Sequence, residues 1–319
     1  MFRITPLVVA YGPQREKSRF TYMHDFGLKI DIPYVSWLIQ GNGLNVLVDT
    51  GCSAEDYQSY VRPSGADLVL AGEVFKDVQN VTSLEQLLAG RGLAIDDIDI
   101  VIQTHLDWDH CMNTRKFKKS KILLQRYEFQ NVPGHVFFKS TYASKSIYKE
   151  IASTGNMQLL DGDYVTTKGL EVIATPGRSP MGQSIVVDTD RGRHVIAGMC
   201  TVHDNFYPPE EVLARSEYKV IPAGMHYDPI VCYNSTLRIK DVGGDHVLPF
   251  HDHANFALGT IGLKKGTEDQ SVLLRTWLTL SQATFDPHAI GLGIGTIVMA
   301  LLLHNWSQRT NCEPAYYLV

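Results

Sequence analysis

Hydrophobic and polar positions first alternate over residues 34–48 of the chain. Val35, Trp37 and Ile39 alternate with other residues, a Gly-Asn-Gly turn follows, and a second apolar run ends before Asp49. Two β-rich runs joined by a turn that contains Gly-Asn predict a β-hairpin. This hairpin is the first periodic element of the chain.

A helix and a strand are predicted next. The segment Thr82–Glu85 has the capping-box pattern, leucines follow at helical spacing, and Gly90 or Gly92 is expected to end the helix. The run Ile100–Ile102 is short, continuous and β-branched. Such a run is typical of a strand that is buried on both faces.

The second half of the chain shows a similar mixture of elements. It contains, in order, a strand at Leu170–Ala174, a turn at 175–180, paired strands at 184–187 and 194–197, a helix at 235–241 and a last strand at 245–250. Strands, hairpins and helices that interleave in this way predict an α/β fold class with mixed sheets. We expect two layers of sheet covered by helices.

The composition is that of an ordinary globular protein. Among 319 residues, 44% are hydrophobic and 20% are charged, which excludes general disorder because the chain has ample apolar surface to bury. The formal net charge is -5, and the only short basic run is 115–119. Because phosphate backbones are bound by basic patches, nucleic acid is not expected as a partner, and a small-molecule substrate is.

The cysteines and the N-terminal residues indicate the cellular compartment in which the protein is expected. The five cysteines have no framework spacing, and Met1–Pro6 has no apolar signal core. These features predict a reducing, cytoplasmic location.

The end of the chain differs from the rest. We expect a main domain over 1–285 and an apolar tail over 286–319, in which residues 289–303 are almost wholly apolar. A membrane-spanning helix needs about 20 apolar residues. A buried helix or one that contacts a second copy in a homodimer is therefore favoured, and a membrane anchor is the alternative.

Two histidines and two aspartates are clustered directly after the buried strand. His105, Asp107, Asp109 and His110 fall within six residues, where an open α/β sheet places its ligands. Imidazole nitrogens and carboxylate oxygens are common ligands of zinc, iron and manganese. The residues between them, Leu106 and Trp108, are expected to point away and pack.

Five motifs together resemble the metallo-β-lactamase fold, with the nearest likeness to its N-acyl homoserine lactonase-like branch. They are, in order, DTG at 49–51, THLDWDH at 104–110, TPGRSP at 175–180, IAGMC at 196–200 and PFHDH at 249–253. The resemblance runs from about residue 30 to about residue 265. It implies an αββα sandwich and a divalent metal, zinc in the first place, with iron or manganese as alternatives.

The resemblance also implies a ligand set, and this chain departs from it. Asp109, His110 and His251 match the ligands of one site, with an open position for water. The other site keeps His105 and has Asp107 as a substitute oxygen ligand in place of the second histidine of the loop. An arginine, Arg178, stands where the family has its third ligand. The bridging aspartate is absent as well. We therefore expect no more than one tightly bound metal per chain.

Two residues, Arg178 and Cys200, each allow more than one interpretation. Arg178 would clamp a substrate carboxylate or phosphate, replace the charge of a missing metal, or pair with Asp107. Cys200 lies near the place of the missing bridging aspartate. It would be a thiolate ligand or simply a small buried apolar residue.

The resemblance implies a metal-dependent hydrolase of a lactone or related carboxylic ester. A metal-bound hydroxide would be the nucleophile, and Asp109 would orient the water and carry its proton to the leaving group. The main alternative is a protein that has lost catalysis and serves as a binding or interaction module. A redox-active iron protein ranks last.

Overall fold

In the computed structural model, residues 1–61, 78–131 and 145–262 are described. Within these ranges the strands are β1 (Arg3–Glu16), β2 (Lys29–Gly41), β3 (Leu44–Val48), β4 (Gln79–Asn80), β5 (Ile100–Ile102), β6 (Lys121–Gln125), β7 (Met157–Leu160), β8 (Tyr164–Thr167), β9 (Leu170–Ala174), β10 (Gln183–Thr189), β11 (Gly192–Ala197) and β12 (Val247–Pro249). The α-helices are α1 (Ala54–Asp56), α2 (Leu84–Ala89), α3 (Trp108–Cys111), α4 (Arg126–Asn131), α5 (Lys145–Ala152), α6 (His203–Phe206), α7 (Glu210–Arg215) and α8 (Pro229–Gly243).

The strands form two mixed sheets. The larger sheet has the order β4-β1-β2-β3-β5-β6-β7, and the smaller has the order β12-β11-β10-β9-β8. β3, β5, β6 and β7 run parallel to one another, whereas β1, β2 and β3 are antiparallel neighbours. In the smaller sheet only the β11–β12 pair is parallel.

Alternating side chains of the strands separate the core into layers. In β3, Val46 and Val48 pack between the two sheets, and Leu47 packs on the opposite face under the helices. β5 divides in the same way, with Ile102 between the sheets and Val101 on the helical side. Helix α8 covers the outer face of the smaller sheet. These layers confirm the predicted α/β class of two mixed sheets flanked by helices.

Several local predictions are confirmed. β2 and β3 form the expected hairpin, β10 and β11 form the second one, and β5 occupies the short apolar run as expected. The predicted helix at 235–241 is the central part of α8, which begins earlier because Asp228 accepts hydrogen bonds from the first backbone amides of the helix and Pro229 follows.

One strand was not predicted, and one local prediction is wrong. β1 precedes the hairpin, and its residues are buried on both faces, so they show little alternation. The helix cap of α2 lies one residue later than predicted. Ser83 accepts from the amide of Gln86, and the Gln86 side chain returns to Ser83, which replaces the expected pairing of Thr82 with Glu85.

The apolar tail predicted at 286–319, with its boundary at residue 285, lies outside the described residues. Within the described ranges, the helices are too short or too polar to cross a membrane. The four cysteines described there (Cys52, Cys111, Cys200 and Cys232) are buried free thiols.

Candidate metal centre

Segments that follow five strands meet at one edge of the sandwich. Asp49 follows β3, His105 lies three residues after β5, Arg178 follows β9, Cys200 follows β11 and His251 follows β12. The parallel pairs β3–β5 and β11–β12 bring the carboxyl ends of their strands to the same edge. Residues far apart in the sequence thereby converge on one buried cluster.

The loop after β5 separates its apolar from its polar side chains. Leu106 and Trp108 are 1% and 2% exposed, and the ring of Trp108 packs against that of Tyr34 at 5.3 Å between centroids. Both side chains pack in the apolar core, as expected, and Trp108 also lines the pocket beside the cluster. The buried side chains of His105, Asp107, Asp109 and His110 take part in the cluster of site residues instead.

Each of the three site histidines has an oxygen partner at Nδ1. These partners are the Thr104 hydroxyl for His105 at 2.9 Å, the Asp49 carboxylate for His110 at 2.6 Å and the Pro33 carbonyl for His251 at 3.0 Å. An imidazole that donates its Nδ1 hydrogen presents the lone pair of Nε2. Metal-binding histidines are held in this way, because the outer partner fixes the tautomer and the ring orientation.

Asp49 organises this network from behind the cluster. Its buried carboxylate accepts from the Thr104 amide and hydroxyl, both at 2.6 Å, and from the Gln103 side-chain amide at 2.7 Å, besides its contact with His110. Asp49 has a φ of 55°, which is costly for a residue other than glycine. Sequence reasoning quoted the motif that contains Asp49 but assigned the residue no role.

Asp109, His110 and His251 form one donor set. Asp109 Oδ2 lies 3.6 Å from the Nε2 atoms of both His110 and His251. Donors about 2.0–2.1 Å from a zinc ion in tetrahedral geometry are about 3.4 Å apart, close to the observed spacing. Among the described residues, His110 Nε2 has no hydrogen-bond partner although it is buried. These three residues therefore fit a metal ion.

His105, His110 and Cys200 form a second group of donors that lie within 4.8 Å of one another. The Cys200 Sγ is 4.0 Å from His105 Nε2 and 3.7 Å from Asp107 Oδ2. Burial of this thiol would raise its pKa, but Arg178 and the three neighbouring histidines hold the pKa well below its usual range. Cys200 is thus the sulfur donor of the second group, and its lowered pKa favours the thiolate form.

Arg178 contacts Asp107 directly. Its guanidinium Nη2 hydrogen-bonds to Asp107 Oδ2, and both side chains are at least nine-tenths buried. His105 Nε2 lies 3.4 Å from the same carboxylate oxygen. A guanidinium has no lone pair to offer a metal, so this side of the cluster is closed by a cation that cannot act as a ligand.

The cluster attracts positive charge. Burial and the neighbouring His110 would lower the pKa of His105, but Asp107 and Cys200 outweigh them and raise this pKa to about 9. Burial likewise disfavours the cation of His110, yet Asp109 and Asp49 raise its pKa well above the usual value. A bound divalent ion would balance the negative charge of the carboxylates in place of the protons on these imidazoles.

Glu128 is a further residue that sequence reasoning missed. Its fully buried carboxyl accepts from the Leu106 amide at 3.3 Å and from the Met181 amide at 3.1 Å. Burial raises the pKa of Glu128, partly opposed by the charge of His105. Glu128 therefore ties the loop after β5 to the turn after β9, and no motif signals this role.

A pocket opens beside the cluster. It is lined by Arg15, Arg19, Phe20, Ile32, Tyr34, Asp107, Trp108, Asp109, Cys200, Met225 and His251. Metal-donor candidates and apolar side chains thus share one pocket with two arginines from the first 19 residues of the chain.

Comparison with known proteins identifies a family and several relatives that this chain resembles in sequence. The sequence model of a family described as "Metallo-beta-lactamase superfamily" matches residues 31–251. N-acyl homoserine lactonase AiiA of Bacillus thuringiensis subsp. kurstaki is 25% identical over 218 residues, which cover 68% of this chain and 78% of the relative. N-acyl homoserine lactonase AiiB of Agrobacterium fabrum is 28% identical over 240 residues, with coverage of 72% and 82%.

Solved structures agree on the fold. An N-acyl homoserine lactone hydrolase with N-hexanoyl-L-homoserine bound at its catalytic metal center superposes with a TM-score of 0.59 at 22% identity and covers 79% of this chain and 93% of its own. AidC, a dizinc quorum-quenching lactonase, superposes with a TM-score of 0.55 at 13% identity, with coverage of 79% and 88%.

Proposed function

The chain belongs to the metallo-beta-lactamase superfamily, and from this premise we propose that it hydrolyses a lactone or a related carboxylic ester with a single divalent metal. Its curated relatives are lactonases at about 25% identity, which supports a metal-dependent hydrolase at the level of the family. Zinc is the proposed ion, because three of the candidate donors are histidine nitrogens and a fourth is a cysteine sulfur. Iron and manganese are the alternatives.

The donor set of Asp109, His110 and His251 carries this proposal. Its spacing fits one ion, its histidines are locked by outer partners, and Asp109 and His251 also line the pocket. When bound there, a divalent metal lowers the pKa of a coordinated water and polarises a carbonyl oxygen. Three protein ligands leave a position open, as catalytic zinc sites do.

Residues of the chain supply the remaining steps. Asp109 is 8% exposed, so its carboxylate reaches the pocket while it faces both histidines, and we assign it the orientation of the attacking water and the transfer of a proton to the leaving oxygen. Asp49 keeps His110 in one tautomer. Cys200 is proposed as an additional ligand, next to His105 and His110, in which case the ion would be five-coordinate when water occupies the open position.

Arg178 is proposed to stand in for a second metal. Its guanidinium neutralises Asp107 and places a fixed positive charge beside Cys200 and the donor set. The same charge would stabilise the oxyanion that forms when the carbonyl is attacked.

A second candidate function follows from the same ion pair. Because Arg178 occupies the position of a ligand, the fold would also suit a binding module without catalysis. Two measurements on protein purified without chelator separate the candidates, namely metal analysis and turnover of a panel of lactones and phenyl esters. The hydrolase predicts about one metal per chain and turnover that Asp109→Asn abolishes.

The matched control is Asp188→Asn, which removes an exposed carboxylate that pairs with Arg193 on the smaller sheet. This control should leave turnover unchanged. Absence of metal together with absence of turnover across the panel would overturn the hydrolase and favour the binding module.

A further inference from the structure

Two arginines of the pocket lie in a segment outside the match to the family. Arg15 is the second-to-last residue of β1, and Arg19 ends the 3-10 helix Lys17–Arg19 that follows, whereas the family match begins at residue 31. Both line the pocket that contains Asp109 and His251. The match to the family therefore gives no expectation of what these two residues contribute to the pocket.

A β-bulge aims Arg15 inward. The pairing of β1 with β2 shifts between Gly12 and Arg15, so two residues of β1 stand opposite Asp31 alone. Gln14 adopts a φ of 52°, and its amide donates to the Asp31 carboxylate at 2.8 Å. Bulges next to binding sites re-aim side chains, and strain at a residue other than glycine is retained where it has a use.

The neighbours of Arg15 make room for a charge in the interior. Arg15 is 3% exposed, and a Cβ on Gly12 would collide with its guanidinium and lie 2.7 Å from the Tyr34 hydroxyl. Tyr34 in turn packs against Trp108 and His251. Arg15 is thus held one side chain away from a proposed metal ligand.

Arg19 is held on another wall of the same pocket. Its Nη2 contacts the Met225 sulfur at 2.8 Å, and its carbonyl accepts from the Met225 amide at 2.8 Å. Burial lowers the pKa of Arg19 to about 10; the charges of Arg15 and Arg178 act in the same direction, and Tyr34 and Cys200 oppose them. Arg15 therefore lies near enough to Arg19 for the two positive charges to interact.

We propose that Arg15 and Arg19 bind an oxyanion in this pocket, and that the substrate is a lactone or ester which carries its own carboxylate or phosphate group. The inference rests on the proposed hydrolase for the reacting bond, but the anion site stands on the two arginines. Guanidinium groups bind both kinds of oxyanion by paired, charge-assisted hydrogen bonds. An anion bound by both arginines would offset the repulsion between them. It would also give a function to the strained bulge, which turns Arg15 toward the pocket.

Matched substrates test the proposal. N-hexanoyl homoserine lactone is neutral, N-adipoyl homoserine lactone ends the same length of chain in a carboxylate, and a third analogue ends it in a phosphonate. Wild-type protein should show a higher kcat/KM for a charged analogue than for the neutral one. Arg15→Gln and Arg19→Gln should each reduce that kcat/KM about tenfold or more and remove most of the preference for the charged analogue over the neutral one.

Direct binding gives a readout that does not depend on turnover. Calorimetric titration of the metal-loaded full chain with glutarate and with inorganic phosphate should show binding that each glutamine variant weakens about tenfold and that Arg19→Lys weakens less. The anion bound more tightly, and the analogue preferred in turnover, identify carboxylate or phosphate. Arg193→Gln, at an exposed ion pair on the smaller sheet, is the control and should bind as wild type.

The outcomes separate this inference from the proposed function. Equal turnover of charged and neutral lactones, with anion binding unchanged in both glutamine variants, would overturn the anion site and leave the hydrolase standing. Anion binding that the variants lose, without turnover of any lactone, would support the anion site and count against the hydrolase. If Arg15→Gln does not fold, Arg19→Gln and Arg19→Lys decide the question alone.

Discussion

Arg178 and Asp107 lie 71 positions apart in the chain, and their side chains form a buried ion pair at the centre of the candidate site. The pair couples two departures from the family pattern, one in each half of the chain. The resemblance to the family implies a histidine ligand at each of these two positions, and here a carboxylate and a guanidinium pair instead.

Arg178→His should admit a second metal. The change removes a positive charge, and two unit charges about 4 Å apart interact by roughly 4 kcal/mol at an effective dielectric of 20. It also adds an imidazole beside His105 and Asp107. Metal analysis after dialysis should show the stoichiometry rising from about one toward about two. Arg126→His, at an exposed ion pair, is the control. An unchanged stoichiometry with lower activity would assign Arg178 to substrate binding instead.

Arg178→Met should destabilise the fold. It leaves the Asp107 carboxylate buried without its cation, which costs about 3–5 kcal/mol. Denaturant unfolding of metal-free protein measures the loss, and Asp107→Asn added to Arg178→Met should recover part of it. A loss below about 1 kcal/mol would show that solvent reaches the pair.

His251→Ala should lose most of the bound metal. The imidazole is one of three proposed protein ligands, and its Nδ1 is already committed to the Pro33 carbonyl. Metal content after dialysis is the measurement, with His246→Ala as the control because His246 lies on the smaller sheet beside Arg193. Wild-type metal content in the His251 variant would mean that the site is placed wrongly.

Asp49→Asn should weaken metal binding about 10–100-fold while the fold persists, since loss of an outer-sphere carboxylate has effects of this size. The amide cannot accept all four hydrogen bonds that the carboxylate accepts, so the tautomer and orientation of His110 are no longer fixed. Competition with a chelator measures the affinity. The prediction fails if Asp49→Asn and wild type release metal at the same chelator concentration.

Cys200→Ser should alter the spectrum of cobalt-substituted protein. A thiolate ligand gives a sulfur-to-cobalt charge-transfer band in the near ultraviolet, and serine does not. Cys232→Ser is the matched control, because Cys232 is buried in the core against α8 and belongs to neither donor group. A wild-type spectrum without this band would make Cys200 a buried thiolate that does not bind the metal.

Local patterns were sufficient to predict the fold class and many of the elements. The hairpin of β2 and β3, the buried strand β5 and the core packing of Leu106 and Trp108 follow from alternation and from short apolar runs. Such patterns can be recognised in a sequence because successive side chains of a strand point to opposite faces of the sheet. β1 gave no such signal, since both of its faces are buried.

The contacts of the site depend on how strand ends converge in three dimensions. Histidine and aspartate spacing pointed to ligands, but nothing local joins Asp49 to His110, Glu128 to Met181 or Arg178 to Asp107. Each pair is brought together by sheet order, with partners 53 to 71 residues apart. Arg15 enters the pocket only because a bulge turns it inward. Side-chain spacing along a sequence carries no record of such long-range geometry, because the packing of the two sheets sets it.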